Sequence, residues 1–159
     1  MKNSRKRDER MTLRICEVNS NNWRDIAALS VSKDQYAFIE DNSYSLAQSK
    51  YHPEWKSVAI YDNETPIGYG MYGTDLRTNQ VWLDRFMIDQ HYQGKGYGKR
   101  AFPMLIELIK KTYQCKRIYL SIHPENDAAQ KLYESFGFKL TGEMDCGEAV
   151  MMLDISQSF

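Results

Sequence analysis

A chain of 159 residues with 21 basic and 21 acidic side chains carries no formal net charge, and 42% of it is hydrophobic. That length and composition suit one soluble domain with one core. The balanced charge gives no pull toward nucleic acid, and no apolar run approaches the ~20 residues a membrane-spanning helix needs. Cys16, Cys115 and Cys146 are widely spaced and form no CxxC pair. They argue against a disulfide framework or a zinc site and for a reducing cytoplasm, as does the lack of a signal-peptide pattern.

In chain order, residues 1–10 (MKNSRKRDER) are almost all polar or charged and are expected to form a disordered extension. Residues 11–159 are then the single folded domain. Thr12–Val18 alternates weakly and reads as a first strand, and Ser20–Asn22 offers caps for a short helix from Trp23. A helical region follows, broken near Asn42-Ser43 and closed at Pro53. Ser57–Tyr61 and Ile67–Tyr72 flank Asp62-Asn63-Glu64-Thr65-Pro66 and predict an antiparallel hairpin. Lys116–Ile122 predicts a strand reached through a crossover helix, hence parallel to its partner. Pro124-Glu125-Asn126 opens another helix with Ala129, Leu132, Tyr133 and Phe136 inward, ended by Gly137 in the left-handed C′ position. Phe138–Gly142 and Ala149–Ile155 close the chain as a hairpin about Asp145-Cys146-Gly147. The predicted fold is α/β, with a mixed, mostly antiparallel sheet of six to seven strands and helices on both faces.

The stretch Val81–Tyr113 organises the rest. Alternation puts Trp82, Asp84, Phe86 and Ile88 on one strand face and Val81, Leu83, Arg85 and Met87 on the other. On that rule Asp84 and its neighbour Arg85 point to opposite faces, which disfavours reading Asp84 as half of an ordinary ion pair. Phe102, Leu105, Ile106, Ile109 and Tyr113 then recur at helical spacing, with Pro103 expected to bend or loosen the helix. Between strand and helix lies Gln93-Gly94-Lys95-Gly96-Tyr97-Gly98. Glycines let a ligand approach the backbone, and the first helical amides with the positive end of the dipole favour phosphate. Lys95, Lys99 and Arg100 add charge. No Walker pattern is present. Gly96-Tyr97-Gly98-Lys99-Arg100-Ala101 fits a dinucleotide fingerprint, but the next strand ends at His123-Pro124 rather than at an acid. Gln93, Gly96 and Gly98 also fit the Q/R-x-x-G-x-G/A turn of acyl-CoA-dependent N-acetyltransferases.

From Met11 onward the sequence resembles that GNAT superfamily, most strongly over Val81–Gly142. There, Gln93-x-x-Gly96-x-Gly98 precedes Asn126, Leu132-Tyr133 and Phe136-Gly137-Phe138 in the family's order. Asp34-Gln35-x-x-Phe38-Ile39 and Trp82-Leu83-Asp84-Arg85-Phe86-x-Ile88 resemble bacterial spermine/spermidine and diamine acetyltransferases. The resemblance implies acetyl transfer from acetyl-CoA to a primary amine of a polyamine or diamine in a ternary complex. A protein amine or aminoglycoside as acceptor, or a non-catalytic acyl-CoA module, are the alternatives. By the same resemblance Phe86, Met87 and Ile88 pair with the pantetheine arm, and Gln93, Gly94, Lys95, Gly96, Tyr97, Gly98 and Lys99 cradle the diphosphate. Asn126 and Lys131 join them, Asp84 takes the amine's proton, and Tyr133 is the general acid. Gln35, Tyr36, Phe38, Glu40, Asp41, Trp82 and Asp84 are the acceptor residues, with Asp34 beside them. Carboxylates there pair ammonium groups while aromatic faces hold methylenes; Glu143, Asp145 and Glu148 extend the groove. His52, His91 and His123 show no ligand spacing and read as surface or turn residues, so no metal is expected. Relatives commonly pair, so a homodimer is expected.

Overall fold

The computed structural model describes residues 11–156, and the extension expected over residues 1–10 lies outside the described residues. Seven strands, β1 (Leu13–Glu17), β2 (Trp55–Asp62), β3 (Thr65–Asp75), β4 (Gln80–Ile88), β5 (Arg117–Ile122), β6 (Lys139–Asp145) and β7 (Glu148–Asp154), make one sheet ordered β1-β2-β3-β4-β5-β7-β6. Every pairing is antiparallel except β4 with β5. The hairpins form where the turn residues predicted them. Asn63 takes φ 50° between β2 and β3, and Cys146 and Gly147 take φ 47° and 83° between β6 and β7.

The helices are α1 (Trp23–Ala28), α2 (Asn42–Tyr51), α3 (Tyr97–Tyr113) and α4 (Asp127–Ser135). The expected break at Asn42 is where α2 begins, because the Asp41 carboxylate accepts the Tyr44 N–H at 2.7 Å and caps it. α3 buries Ala101, Phe102, Leu105, Ile106 and Ile109 on one face of the sheet. Each large apolar side chain so buried contributes about 1.5–3 kcal/mol. Pro103 does not interrupt this helix. On the other face α1 and α2 bring Ile26 and Leu46 against Ala59, Tyr69, Met71 and Met87. No described helix is long and apolar enough to cross a membrane.

Two irregularities of β4 shape the site. The register of β3 on β4 runs Met71↔Arg85 and then Tyr72↔Leu83, so Asp84 is the extra residue of a β-bulge. Alternation reverses there. Val81 and Leu83 pack with Phe102, and so does Phe86 beyond the bulge, at 5.4 Å between rings. The expected face of Trp82, Asp84, Phe86 and Ile88 is therefore not formed, since one inserted residue moves Phe86 and Ile88 to the α3 side. Second, β4 meets β5 only at Trp82↔Tyr119. Beyond that point the strands part, and the edge of β4 from Leu83 to Ile88 opens onto a cleft.

Candidate active site

The cleft, about 840 Å³, enters between β4 and β5. Its floor on the β4 side is Phe86, Met87 and Ile88. Beyond them the chain makes the glycine turn. Gly94 and Gly96 adopt φ 75° and 89°, the left-handed region where a side chain is strained, and Gly96 is the N-cap of α3. The first α-helical bond at this end is Arg100 N–H to Gly96 C=O. The amides of Tyr97, Gly98 and Lys99 thus have no partner within the helix. A Cβ on Gly98 would meet only Ile88 Cγ1, at 4.0 Å. Gly98 lines the cleft, so such a Cβ would occupy space beside the helix amides. A diphosphate fits that cradle by charge and by room.

Side chains of the turn hold it in place. Gln93 Nε2 donates to the Ile88 carbonyl at 2.9 Å and to Gln35 Oε1 at 3.0 Å, tying the end of β4 to the loop before α2. The Tyr97 hydroxyl donates to Asp62, and burial together with that carboxylate pushes its pKa up to about 12. Both residues therefore offer the cleft main chain more than side chain.

Tyr133 stands on the opposite wall, on α4. The Asn126 side chain accepts the Ala129 N–H at 3.2 Å and caps this helix. At the other end, Gly137 at φ 96° closes it, with Phe138 N–H on the Tyr133 carbonyl at 3.1 Å. The phenol packs on Phe102 with centroids 5.1 Å apart. Burial, and secondarily the Glu148 carboxylate, push its pKa up to about 12. A proton is thus held firmly on Tyr133 Oη at neutral pH.

Asp84 lines the cleft from the bulge, and the ion pair that simple alternation disfavours is present. Arg85 Nη1 donates to Asp84 Oδ2 at 2.7 Å, with side chains 16% and 26% exposed. The bulge removes the regular pleat that would have parted them. Burial raises the Asp84 pKa above the ordinary carboxylate value, Arg85 opposes it, and Asp145 and Asp75 add to the rise. Arg85 is fixed in turn by Gln48 Oε1 at 3.2 Å.

The loop before α2 reaches the same cleft through Gln35, Tyr36, Phe38 and Glu40. Phe38 meets His123, just past β5, with ring centroids 5.0 Å apart. His123 is thus a wall residue of the cleft rather than a plain turn residue. Several expected residues are elsewhere. Asp41 is held in the α2 cap, and Trp82 stacks on Tyr119 at 5.5 Å, buried and off the cleft wall. Lys95 Nζ lies 5.6 Å from the Tyr92 ring centroid, while Lys99 and Lys131 are exposed; none of the three lines the cleft. Asp34 accepts from Ser32 and also lies off the wall, as does Glu143. Sequence reasoning missed Ser121, His123 and Cys146 as wall residues, because only strand divergence brings them there.

Residues 21–138 match the Acetyltransferase (GNAT) family. A probable spermine N(1)-acetyltransferase of Bacillus subtilis subsp. natto is 41% identical over 152 residues, 91% of this chain and 100% of the relative. A spermine/spermidine N(1)-acetyltransferase of Bacillus subtilis is 40% identical over 152 residues, with the same 91% and 100% coverage. Among solved structures, the spermidine N-acetyltransferase from Vibrio cholerae in complex with CoA and spermine aligns with a TM-score of 0.72 at 18% identity. That alignment covers 91% of this chain and 96% of the other, and at such identity it speaks for the fold.

Proposed function

From a chain that belongs to the Acetyltransferase (GNAT) family and is an acetyl-CoA-dependent N-acetyltransferase, we propose that the acceptor is a linear polyamine such as spermidine or spermine. The observation that carries this reading is one cleft holding both the glycine-turn amides and the wall carboxylates Asp84, Glu40 and Glu148. Acetyl-CoA, when bound, supplies an activated acetyl thioester. The residues that would hold it are Phe86–Ile88, through the open edge of β4, with the Gly94–Gly98 turn at its diphosphate and Asn126 on the facing wall.

A primary alkylamine has a pKa near 10.4 and arrives protonated, hence without a free lone pair. Asp84 Oδ accepts that proton, directly or through water. Burial raises the Asp84 pKa, and Arg85 opposes that rise by favouring the ionised carboxylate. Tyr133 Oη holds the proton destined for the leaving thiolate; burial keeps the phenol protonated at rest and makes it a weaker acid, so the transfer needs the thiolate directly beside it. Tyr36 and Phe38 supply aromatic faces for the methylenes between charged nitrogens. The same reading takes residues 11–159 as one domain working as a homodimer in the reducing cytoplasm, in keeping with three free cysteines.

The test is thiol release from acetyl-CoA against a panel of spermine, spermidine, putrescine, butylamine, an aminoglycoside and peptide N-termini. Polyamines are expected to give the highest kcat/KM. Turnover with only the aminoglycoside or the peptides overturns the acceptor assignment. Light scattering on the same sample reads the dimer.

A further inference from the structure

Asp84 faces the cleft already neutralised by Arg85 at 2.7 Å. Across the gap stands a carboxylate in a different condition. Glu148 opens β7, lines the cleft and is half-buried. Its hydrogen-bond partner is the Ser121 hydroxyl, which donates to Oε1 at 3.2 Å. Among the described residues no lysine, arginine or histidine forms an ion pair with it. A half-buried carboxylate held by one hydroxyl keeps most of its capacity for a cation.

Its position follows from register. β7 pairs with β5 through Ser121↔Val150 and Ile122↔Ala149, so Glu148 stands one step beyond the end of β5, on the bank opposite β4. Ile118, Leu120 and Ile122 face the α3 core, so Tyr119 and Ser121 face the other side of the sheet. That is the side of the Trp82–Tyr119 stack, opposite the face that carries Phe102, while the Glu148 carboxylate still lies near enough to Tyr133 in the same cleft to act on the phenol. Ser121 thereby holds Glu148 toward the acceptor side of the gap. Asp145, paired with Glu148 across the final turn, is close enough to Asp84 to raise its pKa. The hairpin and the bulge therefore face one another across the opening.

We propose that Glu148 is the specificity-determining anchor for a second charged nitrogen of the acceptor, while Asp84 takes the reacting one. This rests on the polyamine reading and assigns its two ends. A monoamine offers Glu148 nothing. A polyamine bridges the banks, its reacting nitrogen at the bulge and its next ammonium between Glu148 and the mouth of the cleft.

The experiment compares kcat/KM for spermidine with kcat/KM for butylamine in wild type, E148Q, E148D and S121A, with thermal melts on each. E148Q is expected to lower the spermidine-to-butylamine ratio about 10- to 100-fold, the span of one charge-assisted hydrogen bond. The loss should be read mainly in spermidine KM. E148D should recover part of the ratio, and S121A should lower it by less than E148Q. If E148Q fails to fold, the S121A ratio decides alone. A ratio that survives E148Q and S121A overturns the role of Glu148. So does an equal loss with both amines, since that marks a part in the chemistry or the fold. The two readings fail separately: a wild-type protein with no preference for spermidine over butylamine sinks the polyamine acceptor before any variant is made.

Discussion

The two walls of the cleft are built in different ways. The wall assigned to the cofactor is nearly continuous in sequence, running from Phe86 through the glycine turn to Gly98, and it presents mainly backbone. The wall assigned to the acceptor is assembled from four distant pieces: the loop around Gln35–Glu40, the bulge at Asp84-Arg85, the end of β5, and the final turn at Cys146–Glu148. It presents side chains. Main-chain amides recognise a diphosphate whatever the neighbouring side chains are, so that wall tolerates drift. Side chains on separate elements change with any substitution, so acceptor choice is the property free to vary on this scaffold.

The comparison breaks first at Asp84. D84N should lower kcat by about 10²- to 10⁴-fold, the usual worth of a general base, while the KM for acetyl-CoA holds. An equal loss in both parameters would merge the two walls into one functional unit. Next, G98V should raise the KM for acetyl-CoA by about 10- to 100-fold, or ~1.4–2.8 kcal/mol, with little change in amine KM. The protein itself leaves room for a Cβ there, the nearest atom to it being Ile88 Cγ1 at 4.0 Å. Tm should therefore move little, and a large drop in Tm would show that Gly98 serves the fold instead.

A smaller effect sharpens the role of Arg85. Burial raises the Asp84 pKa and Arg85 opposes the rise. The base works when ionised, so activity falls as pH drops through the folded pKa. R85Q removes the opposing charge, and the acid limb of the kcat/KM profile should move to higher pH, with a greater loss at pH 6 than at pH 8. An unmoved limb would assign the titration to another group.

The mildest variant should leave both walls alone. Asp89 is 4% exposed. Burial alone would raise its pKa, but N–H groups of Ser30 and His91 and the His91 ring outweigh burial and lower it. A depressed carboxylate stabilises the fold fully above its unfolded value and loses that contribution as pH falls through the folded one. D89N should cost about 1–3 kcal/mol of stability at pH 7, with a difference from wild type that shrinks in acid. Denaturant melts across pH measure it.

Much of this molecule was legible before any coordinates. The α3 stripe, the left-handed Gly137 and the glycine turn all lie within spans of a few residues, where period and backbone preference act directly. The misreadings share a cause as well. An unbroken pleat puts Trp82 and Phe86 on one face and parts Asp84 from Arg85, and nothing in Trp82-Leu83-Asp84-Arg85-Phe86 announces the extra residue. As a residue type Asp41 suits a helix cap and an acceptor carboxylate equally, and only the located start of α2 shows its side chain in the cap.

By itself the sequence determined the elements, their order, the glycine turn and the family, since these depend on neighbours along the chain and on covalent spacing. Tertiary structure alone decided where β4 bulges, where β4 and β5 part, and which carboxylates then confront one another across the gap. The reason is physical: register and strand divergence settle only when the whole sheet packs against both helical layers, and no residue carries that information alone.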